Sequence, residues 1–122
     1  MRLYDIKAEP SLLTNAATLL QKAHQVNSGD VSALINVGVC NLKLNKADKA
    51  LNYLEKARRL EPDNATLNYN LACAYSKLGN VSHALDYLKK AVEADRAFKS
   101  RAKSDPDFNN IKNTDEFKTI TS

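Results

Sequence analysis

A chain of 122 residues is long enough for one compact domain or one short solenoid, and its 43% hydrophobic and 26% charged residues are ordinary for a soluble globular protein. Three glycines and three prolines are too few for a sheet protein with many tight turns, which leaves helices joined by short loops. The net charge of +4 is well short of a histone or a polybasic arm and gives only a mild preference for acidic partners.

Met1 to Pro10 is charged and lacks the apolar stretch of a secretory signal, and no apolar run approaches the ~20 residues that cross a bilayer. The expected compartment is therefore cytoplasmic, with no membrane insertion. From Val31 onward a 34-residue period organises the chain: Asn36 recurs as Asn70, Ala50 as Ala84, Tyr53 as Tyr87, Leu54 as Leu88, Lys56 as Lys90 and Ala57 as Ala91. One step back, Ala16, Leu20, Lys22 and Ala23 repeat the second half of the pattern. A period in this range means stacked supersecondary units, each leaving an apolar face that a neighbour must cover.

Within the period the spacing predicts helix, turn, helix. Leu34, Val37, Val39 and Leu42 mark a helix over 31–44 behind Asp30 as N-cap. Ala50, Leu51, Leu54, Ala57 and Leu60 mark one over 47–60 that Pro62 stops. Asn64 caps a third over 65–78, Gly79 ends it, and Asn80 caps a fourth over 81–94. Linkers of two to five residues make neighbouring helices antiparallel. Gly38, Ala72, Ala50, Ala84, Ala57 and Ala91 are small where the helices of a hairpin must approach closely.

With Val31 as the first position of a unit, Leu34, Val37, Gly38, Ala50, Leu54, Ala57 and Pro62 are similar to the tetratricopeptide repeat consensus. In the next unit Leu71, Ala72, Tyr75, Ala84, Leu88 and Ala91 match, while Asn68 stands at a usual large position and Arg96 replaces the proline. The resemblance implies an all-α, right-handed superhelical solenoid of antiparallel helix hairpins. Its divisions are a segment 1–30 holding the second helix of a partial leading repeat, repeats 31–64 and 65–98, and a closing segment 99–122. The tail, Ser104-Asp105-Pro106-Asp107-Phe108 and Thr114-Asp115-Glu116-Phe117, resembles the end of many such proteins, with Phe108, Ile111, Phe117 and Ile120 to seal the last face. At the front, either the domain belongs to a longer array or Leu3, Tyr4 and Ile6 form an atypical cover.

In such a solenoid the first helix of each hairpin lines a concave wall. The resemblance then places a peptide groove on Ser32, Ile35, Asn36, Val39 and Lys43, continued by Thr66, Tyr69, Asn70, Cys73 and Lys77. Asn36 and Asn70 are the sharpest of these, because a side-chain amide both donates to and accepts from a peptide group. Lys43 and Lys77 either attract acidic side chains or complement the negative helix end. Arg96, Lys99, Arg101 and Lys103 form a run without an acid, and helical spacing would put Arg96, Lys99 and Lys103 on one face as an acidic-partner patch. The clamp that holds chaperone tails in some members is not supported, since its lysine and asparagine belong to a leading helix missing here and Asn70 stands where an arginine is needed.

No phosphate loop, zincin motif or nucleophile beside a base is legible, so no catalytic residue, cofactor or metal is expected. Cys40 and Cys73 read as small buried hydrophobes, and His24 and His83 are lone members of helix faces. The sequons at Asn64 and Asn80 are accounted for as caps, and Tyr53 and Tyr87 as packing between helices. The expected function is a non-catalytic scaffold that binds a protein or peptide partner. The alternative is self-association of a larger protein through solenoid ends, including a homo-oligomer through the N-terminal face. Nucleic acid is a poor fit.

Overall fold

A computed structural model describes residues 30–122. The partial leading repeat, the two readings of the front end, the N-terminal face and His24 lie outside the described residues. Six α-helices follow in order, with no strand among the described residues. They are α1 (Val31–Lys43), α2 (Ala47–Leu60), α3 (Ala65–Lys77), α4 (Val81–Ala94), α5 (Ala97–Ser104) and α6 (Asp115–Thr121). A 3₁₀ turn, Pro106–Phe108, lies between the last two.

The expected starts are realised by side chains that satisfy otherwise unpaired N–H groups. Asp30 Oδ1 accepts from Ala33 N at 3.0 Å, Asn64 Oδ1 from Leu67 N at 3.0 Å, and Asn80 Oδ1 from His83 N at 3.3 Å. The stops repeat with the same period. Asn45 (φ 61°) and Gly79 (φ 80°) both take the left-handed conformation, and the next residue's N–H closes the turn, Lys46 N to Asn41 O and Asn80 N to Tyr75 O. Glu61, ahead of Pro62, leaves the helical conformation and ends α2.

α1 packs on α2 and α3 on α4 as hairpins; α3 also covers α2 and lies beside α1. Leu34, Val37, Leu54, Leu67, Leu71 and Leu88 are fully buried along these seams. This is a helical repeat solenoid. Asn68, in place of the expected large residue, is 3% exposed, and its amide donates to Pro62 O at 3.2 Å, tying the inter-hairpin linker to α3.

The closest approach within the first hairpin is at Gly38. A Cβ there would lie 2.6 Å from Leu54 Cδ2 and 2.7 Å from its Cγ. Leu54 is completely enclosed and cannot swing away. Gly38→Ala therefore sets an overpacking cost of ~1–3 kcal/mol against a helix-propensity gain of about 1 kcal/mol. A net loss of up to ~2 kcal/mol is expected in urea unfolding, and a gain in stability would show that the hairpin spreads freely.

After α4 the repeat changes character. α6 begins 34 residues after α4, in register with a further second helix, but the preceding stretch is broken by Pro106 into α5 and the 3₁₀ turn. Phe108 and Ile111 are fully buried, Phe117 is 3% exposed and Ile120 packs at the margin of the core.

Candidate functional site

α1 and α3, the helices to which the resemblance assigns the wall, lie side by side, and the two differ in exposure. On α1, Ser32, Asn36 and Lys43 are exposed while Ile35 and Val39 are half-buried. On α3, Thr66 is exposed and Lys77 half-buried, but Tyr69 and Cys73 are 1% and 2% exposed and Asn70 is 7% exposed. The expectation of a groove open along both helices is corrected on the second: the chain's own closing segment lies over it.

The cover is held by polar bonds as well as by rings. Tyr69 Oη donates to Asp105 Oδ2 at 2.7 Å. Ser76 Oγ, fully enclosed, donates to Asp107 O at 2.6 Å, and Lys77 Nζ pairs with Asp107 Oδ1 at 3.1 Å. Asn110 Nδ2 donates to Ser76 O at 2.9 Å. The Tyr69 ring stacks on Phe98 (4.7 Å between centroids), meets Phe108 edge-on at 5.4 Å, and carries the Arg101 guanidinium 4.6 Å from its centre. Asp105 caps the 3₁₀ turn by accepting from Asp107 N at 3.0 Å.

A cleft of about 390 Å³ remains between the halves. Val39 and Lys43 of α1 meet Tyr69, Asn70 and Cys73 of α3 there, with Lys77, Arg101 and the Asp105-Pro106-Asp107 turn closing one end. Asn70 Nδ2 donates to Thr66 O of its own helix at 3.0 Å, so one of its two amide N–H groups is engaged, and the residue is buried, whereas Asn36 stands exposed. Lys77 is paired with Asp107; Lys43 is exposed on the last turn of α1.

Cys73, Asp105 and Asp107 bring three potential metal-ligating atoms within 4.8 Å of one another. Three of the four carboxylate oxygens there are engaged, by Tyr69, by Asp107 N and by Lys77. Burial, followed by the neighbouring Asp105 and Asp107 charges, pushes the Cys73 thiol far above its ordinary range. A protonated, enclosed sulfur is the reverse of what a nucleophile needs. The Tyr69 hydroxyl is likewise pushed up, by burial and by its bond to Asp105.

The basic run is not one patch. Arg101 turns into the cleft over Tyr69, Arg96 and Lys99 border a hollow between α4 and α6, and Lys103 borders another between α5 and α6. Tyr87 stacks parallel on Tyr75 at 5.6 Å, with Lys90 5.2 Å from its ring centre, and Lys56 sits 5.7 Å from that of Tyr53. Tyr75 Oη donates to Glu55 at 2.7 Å, which links the two hairpins.

Asp105, Asp107, Arg101 and Ser76 were missed as contributors to the wall. The signal that could have found the first two is Ser-Asp-Pro-Asp after a helical stretch, a capped turn that reverses the chain. A family model described as Tetratricopeptide repeat matches residues 42–104, just over half of the chain. A search of curated proteins finds no match.

Proposed function

The chain belongs to the tetratricopeptide repeat family, whose repeats are generally protein–protein interaction modules and typically non-catalytic, and from that premise we propose that it is a scaffold holding an extended segment of a partner along α1. The observation that carries this reading is the asymmetry of the inner wall. The α3 half is filled by an acidic turn of the chain itself, while Asn36, Val39 and Lys43 of the α1 half stay accessible beside the cleft.

The internal contact also supports a chemistry for the partner. Tyr69, Cys73 and Lys77 receive the Asp105-Pro106-Asp107 turn; one period earlier the same places hold Ile35, Val39 and Lys43. Ile35 and Val39 offer an apolar seat without the hydroxyl, and Lys43 offers the same charge. An apolar side chain followed by an acidic group fits this half, with Asn36 bonding the backbone between them.

Asn36→Ala is expected to weaken a captured native partner by about 1–3 kcal/mol, the scale for leaving peptide groups unpaired on burial. Asn70→Ala should weaken it less, since that residue is buried and one of its two amide N–H groups already bonds Thr66 O. Isothermal titration of both variants decides: equal affinity of wild type and Asn36→Ala would remove α1 from the binding account.

A further inference from the structure

The polar attachment of the cover begins at one place in the chain. Asp105 leaves α5 in an extended conformation, and its two carboxylate oxygens take Tyr69 Oη at 2.7 Å and Asp107 N at 3.0 Å. Asp107 follows, with its ion pair to Lys77 and its carbonyl on Ser76. Ser104 stands immediately before them as the last residue of α5. It is exposed, and among the described residues its Oγ bonds only Arg101 O of its own helix, at 3.3 Å. Nothing that holds the cover depends on that hydroxyl.

Its setting is distinctive. Among the described residues Ser104 is the one exposed hydroxyl that acids follow closely, Asp105 at the next position and Asp107 two further on. Ser32, Thr66, Ser82, Ser100 and Thr119 are also exposed, but no acid lies within three residues after any of them. Thr114 precedes Asp115 and Glu116, yet its hydroxyl is engaged on both sides, accepting from Phe117 N at 3.2 Å and donating to Ile111 O at 2.8 Å. A free hydroxyl with carboxylates on its C-terminal side is the charge pattern that a kinase with a basic substrate groove selects.

We propose that Ser104 is a phosphorylation site for an acid-directed serine kinase, and that the phosphate loosens the cover from α3. In this step the γ-phosphoryl group of ATP passes to Ser104 Oγ as its bond to the ADP oxygen breaks, and the hydroxyl proton goes to the kinase's base. The product carries about −1.5 to −2 charges at neutral pH. It lies at the C-terminal end of α5, where the helix dipole disfavours an anion. It also lies one residue from Asp105, and like-charge repulsion acts on the carboxylate that bonds Tyr69. Arg101, three residues back on the same helix, is a neighbour of the phosphate; pairing there draws its guanidinium off the Tyr69 ring, whose centre is 4.6 Å away. Lys103 faces α6 instead, on another flank of α5. Both effects weaken the contact between Tyr69 and the closing segment. The use of the opened wall by a partner rests on the function proposed above, whereas the release of the cover does not.

The test uses the whole chain with Cys40→Ala, so that Cys73 is its one thiol. A purified acid-directed kinase with magnesium ATP is applied to the folded chain, and mass spectrometry locates the label. The rate at which Cys73 reacts with a thiol reagent is then compared with and without phosphate. The expected result is a label on Ser104 and a Cys73 rate about tenfold or more higher, read as a larger population of the open cover. Phosphoserine installed at Ser100, exposed one turn earlier on α5, should leave the rate unchanged. The proposal is overturned by a folded chain left unlabelled at Ser104, by a Cys73 rate that the phosphate does not raise, or by an equal rise from Ser100. Partner titration separates the two readings. A faster Cys73 with affinity still lowered by Asn36→Ala supports both, and a faster Cys73 with affinity indifferent to Asn36→Ala supports the switch while removing α1.

Discussion

Phe108→Ala is expected to cost about 3–5 kcal/mol and to detach the closing segment before the hairpins melt. The ring is completely enclosed where α3, α5 and α6 converge, 5.4 Å from the Tyr69 ring and 5.9 Å from that of Phe117. Its backbone holds the turn as well, accepting from Ile111 N and Lys112 N, both at 2.9 Å. Truncation removes an aromatic side chain from a site lined by helices that cannot collapse inward without breaking the Tyr69–Asp105 and Ser76–Asp107 bonds. In a repeat protein stability is close to a sum of units and their interfaces, so the damage stays near the end where it is made. Urea unfolding should therefore show an early transition in which Cys73 becomes reactive to a thiol reagent, followed by loss of helix. A single transition shifted by less than about 1 kcal/mol, with Cys73 still protected, would mean the segment is held by its polar bonds alone.

The hairpins were legible because every level of the sequence points the same way. Asp30, Asn64 and Asn80 cap as their residue types demand, and α2 and α4 run over the predicted 47–60 and 81–94. α1 and α3 each end one residue short of the predicted bound, where Leu44 and Leu78 become C-caps. Asn45 shares its place and conformation with Gly79 one period on, a correspondence available in the sequence that the residue type disguises. The wall was less legible. Whether Tyr69, Asn70 and Cys73 face a partner or the chain itself depends on contacts made by the non-repeating tail, with Asp105 lying 36 positions from Tyr69 and 32 from Cys73. A period reports what neighbouring units share, and these residues belong to none. The basic run failed as one patch for a related reason: α5 has only eight residues, and each of its flanks meets a different neighbour, so its cations are dealt to three surfaces.

Raising the pH from 9 to 11 is expected to remove about 3–4 kcal/mol of stability, chiefly through Cys73 and Tyr69. Their ordinary values are 9.0 and 10.0, and in the folded chain both are pushed far up, first by burial and then by the Asp105 and Asp107 region for the thiol and by Asp105 for the phenol. The folded state keeps protons that the unfolded chain gives up. Below pH 9 both states hold them and the contribution is intact; above it the unfolded state binds fewer, so stability falls by about 1.4 kcal/mol per pH unit for each group once its unfolded value is passed. The loss begins with Cys73 and steepens near pH 10 as Tyr69 joins. Tyr75 and Tyr87, also raised by burial and by Glu55, add to it in the same direction. The free energy that holds the Asp105–Phe108 cover on α3 sets a ceiling, because once the cover lifts both groups titrate as they would in water. Thermal melts of the wild type, Cys73→Ala and Cys73→Ala with Tyr69→Phe across this range separate the contributions. The single variant should lose most of the decline between pH 9 and 10, and the double variant should keep only the decline that Tyr75 and Tyr87 set from about pH 10 upward. The same slope in all three would place the alkaline loss elsewhere in the fold.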